Sequence, residues 1–139
     1  MKHLLTPTSI GEVLDKISIL EIKSERIKDE GKLKNIHRER DLLYQLCQDE
    51  KIDFKCPLFD TLKSVNETLW DIEDQIRLKE RAGQFDAEFV ALARSVYITN
   101  DKRARIKFEL NKLFKSELIE EKSYEDYTPI KSSERLDTK

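Results

Sequence analysis

The chain predicts an all-α fold: two antiparallel helical hairpins forming a four-helix bundle, with a disordered or extended C-terminal tail. Three observations carry this. Three glycines and three prolines in 139 residues, against 39% charged residues, leave too little turn chemistry for a sheet protein. Apolar residues recur at alternating spacings of three and four, the period of one helix face. Breaks in that rhythm fall at residues that start or stop helices, namely Ser9, Gly31, Pro57, Gly83 and Asp86.

Helix one is expected over residues 9–29. Ser9-Ile10-Gly11-Glu12 reads as a capping box, in which the Ser oxygen takes the Glu12 N–H and the Glu carboxylate reaches back. Ile10, Val13, Leu14, Ile17, Leu20 and Ile27 form its inner stripe, while Ile19 and Ile22 lie off it. Apolar residues beside the stripe would be exposed, so they predict a second interface and a homodimer. Gly31 is expected to close the helix as a C-cap glycine. A weaker helix two, over 32–48, carries Leu33, Ile36, Leu42, Leu43 and Leu46 and returns as the second arm of a hairpin. In the polar linker 49–56, Ile52 and Phe54 are expected to tuck under the bundle.

Pro57 suits the first turn of helix three, where its fixed φ is already helical and its missing N–H costs nothing. The stripe Leu58, Leu62, Val65, Leu69, Ile72 and Ile76 carries that helix to about residue 81, and Ala82-Gly83-Gln84 turns the chain. Asp86 then caps helix four, whose stripe is Phe89, Leu92, Val96, Thr99, Arg103, Ile106, Leu110 and Leu113. The phase is kept across Asn100-Asp101, which predicts one continuous helix and a hairpin of about 40 Å. Past Leu118 the pattern stops. A single domain over 1–127 and a flexible tail over 128–139 follow, with the last ten residues disordered and the tail cleavable after about Tyr127.

Thr99 and Arg103 stand where an apolar residue is expected, and an inward Arg needs a partner. It serves either as part of a structural polar layer or as part of a ligand site. The candidate ligand-binding residues are Arg103, Arg94, Lys107, Arg77, Glu73 and Glu21, charges that fall on the inner or flanking faces of the long helices. With the hairpin pivoting near residue 84, position 73 lies beside about 95. That register gives Arg94 to Glu73 and leaves Arg103 to Glu21 or Glu25 of helix one, or to an anion. Trp70 and Tyr97 sit one residue off their stripes, where widening the core is favoured over lining a groove.

Several chemistries are excluded. A net charge of -2 gives no global field for nucleic acid or an anionic membrane. The basic run 102–107 lacks interleaved aromatics, and no stretch has a signal-peptide core or membrane-span length. Cys47 and Cys56 form no CxxC pair, which fits reduced thiols in the cytoplasm. The two histidines, His3 and His37, have no Glu three residues before them, as a dimetal bundle requires. Glu73-Asp74 lacks a companion acid four residues earlier, and the consecutive acids of this pair and of Glu120-Glu121 point about 100° apart on a helix. Phosphate-cradling glycine loops and nucleophile elbows are missing. No metal, cofactor or catalytic residue is therefore assigned.

The blocks SIGEVLDKISILEIKSERIKD (9–29), LWDIEDQIR (69–77), LARSVYITNDKRARIK (92–107) and EEKSYEDY (120–127) resemble a family of small uncharacterised bacterial proteins, a domain of unknown function. The resemblance runs from Thr8 to Tyr127, with residues 30–68 matching in apolar pattern only, and it implies no activity. A looser likeness is to helical chorismate mutases, where facing Arg and Lys clamp a dicarboxylate without metal or nucleophile. Leu14-Asp15-Lys16-Ile17 lacks the arginine which that family carries on its first helix. The expected function is a non-enzymatic, self-associating interaction or regulatory module with a protein partner. The alternative is a small-anion site in the bundle, either sensory or that of a metal-free enzyme of the chorismate-mutase type.

Overall fold

A computed structural model describes residues 2–130. Helices α1 (Ile10–Arg26), α2 (Glu30–Asp49), α3 (Pro57–Ala82) and α4 (Ala87–Leu113) make an all-α fold, with no strand among the described residues. Each helix begins where the sequence offers a stop for its orphan N–H groups. Ser9 Oγ accepts from Glu12 N–H at 3.2 Å, Asp29 Oδ1 from Lys32 N–H at 2.9 Å and Asp86 Oδ1 from Phe89 N–H at 2.9 Å, while Pro57 opens α3. Gly83, at φ 65°, closes α3 in the left-handed region that glycine adopts without strain.

Two expectations about helix ends are corrected. α1 stops at Arg26 because Ile27 turns extended and Asp29 captures the first turn of the next helix. Gly31 therefore lies inside α2 rather than closing α1. Glu12, for its part, does not complete the capping box: its carboxylate goes to Lys107 of α4 at 2.6 Å. α4 runs unbroken through Asn100-Asp101, since the low helix propensity of two polar residues costs only tenths of a kcal/mol each against a packed face.

The α3–α4 hairpin is the frame. α1 lies along it and packs on all three other helices, whereas α2 folds back on α1 alone. α1 is thus surrounded, and Ile22 is 1% exposed within one chain, with Ile19 half-buried. Ile22 is covered by the chain's own helices and Ile19 partly so, which removes the exposure from which a dimer through these two residues was expected. Val13, Leu14 and Ile17 join Phe59, Leu62, Leu110, Cys47 and Phe54 in the core. Phe54 does tuck under, edge-on to Phe59 at 5.0 Å and stacked on Tyr44 at 5.8 Å.

α1 has 17 residues against 26 in α3 and 27 in α4, about 25 Å against about 40 Å at 1.5 Å per residue. It runs out beside Asp71, whose carboxylate takes Arg26 Nη1 at 2.6 Å. Beyond that level the hairpin continues as a two-helix arm. Across residues 67–98 no side chain is buried, although Leu69, Ile72, Ile76, Phe89, Leu92 and Val96 are among them. At the other end, residues 117–130 leave α4 and return beside it as an irregular strap, with Tyr127 against Tyr97 at 5.1 Å between ring centroids. The expected disorder of the last ten residues falls, except for Ile130, on 131–139, outside the described residues.

Candidate functional site

The site is built from a close contact between α1 and α4. A Cβ on Gly11 would lie 2.5 Å from the Lys107 carbonyl oxygen and 2.9 Å from Asn111 Oδ1, so only glycine lets α1 and α4 approach this far. The approach also completes the α1 cap. Ile10 N–H donates to Ser116 Oγ at 3.0 Å, Gly11 N–H to Asn111 Oδ1 at 2.6 Å, Glu12 N–H to Ser9 Oγ, and Val13 N–H to the Ser9 carbonyl. The three helical N–H groups that precede the first regular bond, those of Ile10, Gly11 and Glu12, are thus all used within the chain, and none of them is left to offer an anion.

One turn further along α1, Asp15 meets Arg103, one turn back along α4. Asp15 is 1% exposed. Its Oδ1 accepts from Arg103 Nε at 3.0 Å and Asn66 Nδ2 at 2.9 Å, and its Oδ2 accepts from Arg103 Nη2. Asn66 also donates to Ser18 Oγ at 2.8 Å, whose hydroxyl donates to the Asp15 carbonyl at 2.7 Å. Lys107 Nζ stands 2.6 Å from Glu12, 3.1 Å from Glu120 of the strap and 3.9 Å from Asp15. Glu120 also holds Lys122 at 2.5 Å. The carboxylates Asp15, Glu12 and Glu120 thus match the cations Arg103, Lys107 and Lys122. Hydrogen bonding to Asp15 raises the Arg103 pKa, and Lys122 and Lys107 hold Glu120 down at about 2. Among the described residues no buried side-chain polar atom lacks a partner.

The expected partners are corrected accordingly. Arg103 pairs with Asp15, not with Glu21, Glu25 or Glu73. Glu21 lies in a separate cluster, accepting from the Tyr44 hydroxyl at 2.7 Å, with Lys63 at 3.5 Å and Lys55 at 3.6 Å. Burial, then the bond to Glu21, pushes the Tyr44 phenol well above its ordinary pKa. Among the described residues Glu73 makes only a surface pair with Arg77 at 3.7 Å. Arg94 is exposed and has no ion pair among the described residues: hairpin register sets its level, but it stands two residues, about 200°, from the inward Leu92. Of the six candidates, Arg103 and Lys107 share the cluster, Glu73 lies near it, Glu21 belongs to the Tyr44 cluster, and Arg77 and Arg94 sit out on the arm.

Sequence reasoning missed Asp15, Asn66 and Asn111. A signal for the first was present: Gly11, Asp15, Ser18 and Ile22 recur at four, three and four, a second stripe of mostly small or polar residues. The apolar stripe beside it drew the reading away.

Arg103 separates two grooves. The larger, about 620 Å³, lies between α4 and the strap and is lined by Val96, Tyr97, Arg103, Lys107, Tyr124 and Tyr127 among others. The smaller, about 340 Å³, opens where α1 ends and includes Ile19, Leu69, Trp70, Glu73 and Asp74. Tyr97 and Trp70 therefore line grooves instead of widening the core. Neither groove holds a nucleophile beside a base. The Cys47 thiol is buried and its pKa raised by that burial, so it is inert as a nucleophile. Among the described residues no cluster of His, Cys, Asp and Glu is placed to hold a metal ion, and no helix is long and apolar enough to cross a membrane. The guanidinium edge that a dicarboxylate clamp of the chorismate-mutase kind needs is already taken by Asp15.

The family model for a family of unknown function, DUF6165, matches residues 5–136. The chain belongs to that family. No curated protein and no solved structure matches it. The matched span contains the Asp15 cluster, the arm and the strap, and membership accords with the resemblance seen in the sequence blocks without supplying an activity.

Proposed function

We propose that the protein is a non-enzymatic, self-associating helical interaction module, a cytoplasmic bacterial homodimer whose contact surface is the α3–α4 arm. One observation carries the reading: the arm has the apolar stripes of a packed helix pair, yet none of residues 67–98 is buried, with Leu78 57%, Phe85 61% and Val90 52% exposed. Apolar surface left exposed along a protruding pair of helices is the kind of surface that a partner covers. The charged cluster, in contrast, satisfies itself, as a structural polar layer does. The unbonded Cys47 and Cys56 accord with a reducing compartment.

Sedimentation equilibrium of the full chain tests this. A reversible dimer with micromolar dissociation constant is expected, as for an interface at the small end of the range. Leu78→Glu with Phe85→Glu should abolish it while leaving the circular dichroism unchanged. A single monomeric mass up to several hundred micromolar overturns the reading.

A second reading, a small-anion site, is favoured by the larger groove, where Arg103, 28% exposed at its side chain, adjoins Lys107, Lys122 and three tyrosines. A thermal-shift series with inorganic phosphate and small dicarboxylates tests it. It fails if none raises the melting temperature in an Arg103-dependent way.

A further inference from the structure

We infer that the arm receives the arm of a second copy, antiparallel and two-fold symmetric, with α3 against α3; this rests on the interaction-module reading above. The trough that α1 fills in the body is left uncovered past Arg26. Leu69, Trp70, Glu73 and Asp74 line its open end together with Ile19 and Ile22, which identifies the side of α3 that adjoins α1. Trp70, Asp74, Arg77 and Arg81 are spaced by four, three and four, so they continue that side toward the hairpin tip.

The order of charges along this line selects the occupant. Acids stand at the base of the arm (Asp71, Glu73, Asp74) and bases toward its tip (Arg77, Lys79, Arg81), with Glu80 the exception. Lys79 is taken up within the chain by Asp86 and Glu88, both at 3.0 Å, and Asp71 by Arg26. Among the described residues Arg77 has only its weak intrahelical pair with Glu73, and Asp74 and Arg81 have no ion pair.

A helix with this polarity is complementary to its own antiparallel copy. Centred between residues 75 and 76, such a pairing sets Asp74 opposite Arg77 and Trp70 opposite Arg81, each twice by symmetry. The first is an ion pair, and the second puts a guanidinium beside an indole. No like charges face each other on this line. Arg26, already over the Trp70 ring at 5.7 Å, is neutralised by Asp71. Exposed Leu78 and Phe85 supply apolar area beside the charged line. An unrelated partner would have to reproduce this charge order, whereas a second copy carries it by necessity. An isologous contact uses the same patch twice. The arm face, about 24 Å by 20 Å, offers about 500 Å² per chain, which sets the association at the weak, reversible end.

Single charge reversals test the pairing. Asp74→Arg alone sets Arg against Arg and Arg77→Asp alone sets Asp against Asp, so each variant should dimerise at least about tenfold more weakly than the parent. Mixed in equal amounts, the two should form a heterodimer as tight as the parent dimer, because both ion pairs are restored between chains. Circular dichroism and melting temperature of each variant confirm that its fold is intact. If the parent dimerises but the mixture behaves as the separate variants do, this pairing is wrong while the module reading stands. A parent that stays monomeric removes both.

Discussion

The two ends of the α3–α4 hairpin carry the same heptad pattern and meet different fates. At the body end α1 lies on the pair, and Phe59, Leu62 and Leu110 are almost wholly removed from water. At the arm end nothing in the described chain takes the place of α1, and Leu69, Ile76, Leu92 and Val96 stay half-exposed. A repeat of three and four says that two helices pair; it does not say whether a third surface covers them. Burial of the second kind is what a single chain of this size supplies only in part.

A pair of substitutions sharpens the contrast most. Leu62→Ala in the body should cost about 2–5 kcal/mol, the usual result of emptying a packed leucine site. Leu78→Ala, on the same helix but 57% exposed, should change monomer stability by under about 0.5 kcal/mol. Urea unfolding below the dimerisation range measures both. Equal losses would mean that the arm is buried in the monomer after all.

The polar centre of the body should be next in size. Arg103→Met leaves Asp15 buried with Asn66 and a distant Lys107, a stranded charge worth about 3 kcal/mol of lost stability. Adding Asp15→Leu to Arg103→Met should recover most of that loss. An unchanged single variant would show the pair to be solvated, and a double variant no better than the single would show that Asp15 matters otherwise than by its charge.

Gly11→Ala probes the approach that creates the cluster. Its new methyl would meet the Lys107 carbonyl oxygen at 2.5 Å, and backbone cannot swing aside as a long side chain does. Moving α1 off α4 should cost about 1–3 kcal/mol, and it should lengthen the Asp15–Arg103 bonds in a crystal structure of the variant. Gly31→Ala, where the nearest contact is Asp29 Oδ1 at 3.3 Å, is the control and should be near neutral.

These contrasts mark what was legible in the chain. Helix number, the caps at Ser9, Asp86 and Pro57, and the unbroken α4 follow from local chemistry, because caps and apolar period act within a turn or two. The prominence of Arg103 was visible as a polar residue in an apolar stripe. Its partner was not, because Asp15 depends on the rotation of α1 about its axis, and that is fixed by Gly11, whose importance lies in a contact 96 positions away. Ile22 misled for the same reason: a residue off the inner stripe is exposed only if the helix has one neighbour, and α1 has three. The strap was illegible altogether, since ion pairs and ring contacts with α4 need no periodicity.

The strap offers the smallest effect and the finest test, because it borders the body cluster and shares one lysine with it. Glu120 is pulled well below the usual carboxylate range, to about 2, by Lys122 first and Lys107 second. Lys122 belongs to the strap itself, so the ionised carboxylate fastens the strap to the body through Lys107. A carboxyl whose pKa is lower when docked contributes fully above about pH 4.5 and loses that contribution as pH falls toward 2. Strap contacts, read as NMR cross-peaks between the Tyr97 and Tyr127 rings, should weaken over that interval in the parent protein. Glu120→Gln should show the weakened state already at pH 7, and the difference between variant and parent should vanish near pH 2. Lys107 retains Glu12 in either case, so the melting temperature of the body should hardly move at pH 7. Cross-peaks of full strength in the neutral-pH variant would mean that the tyrosine contact, not the ion pair, fastens the strap.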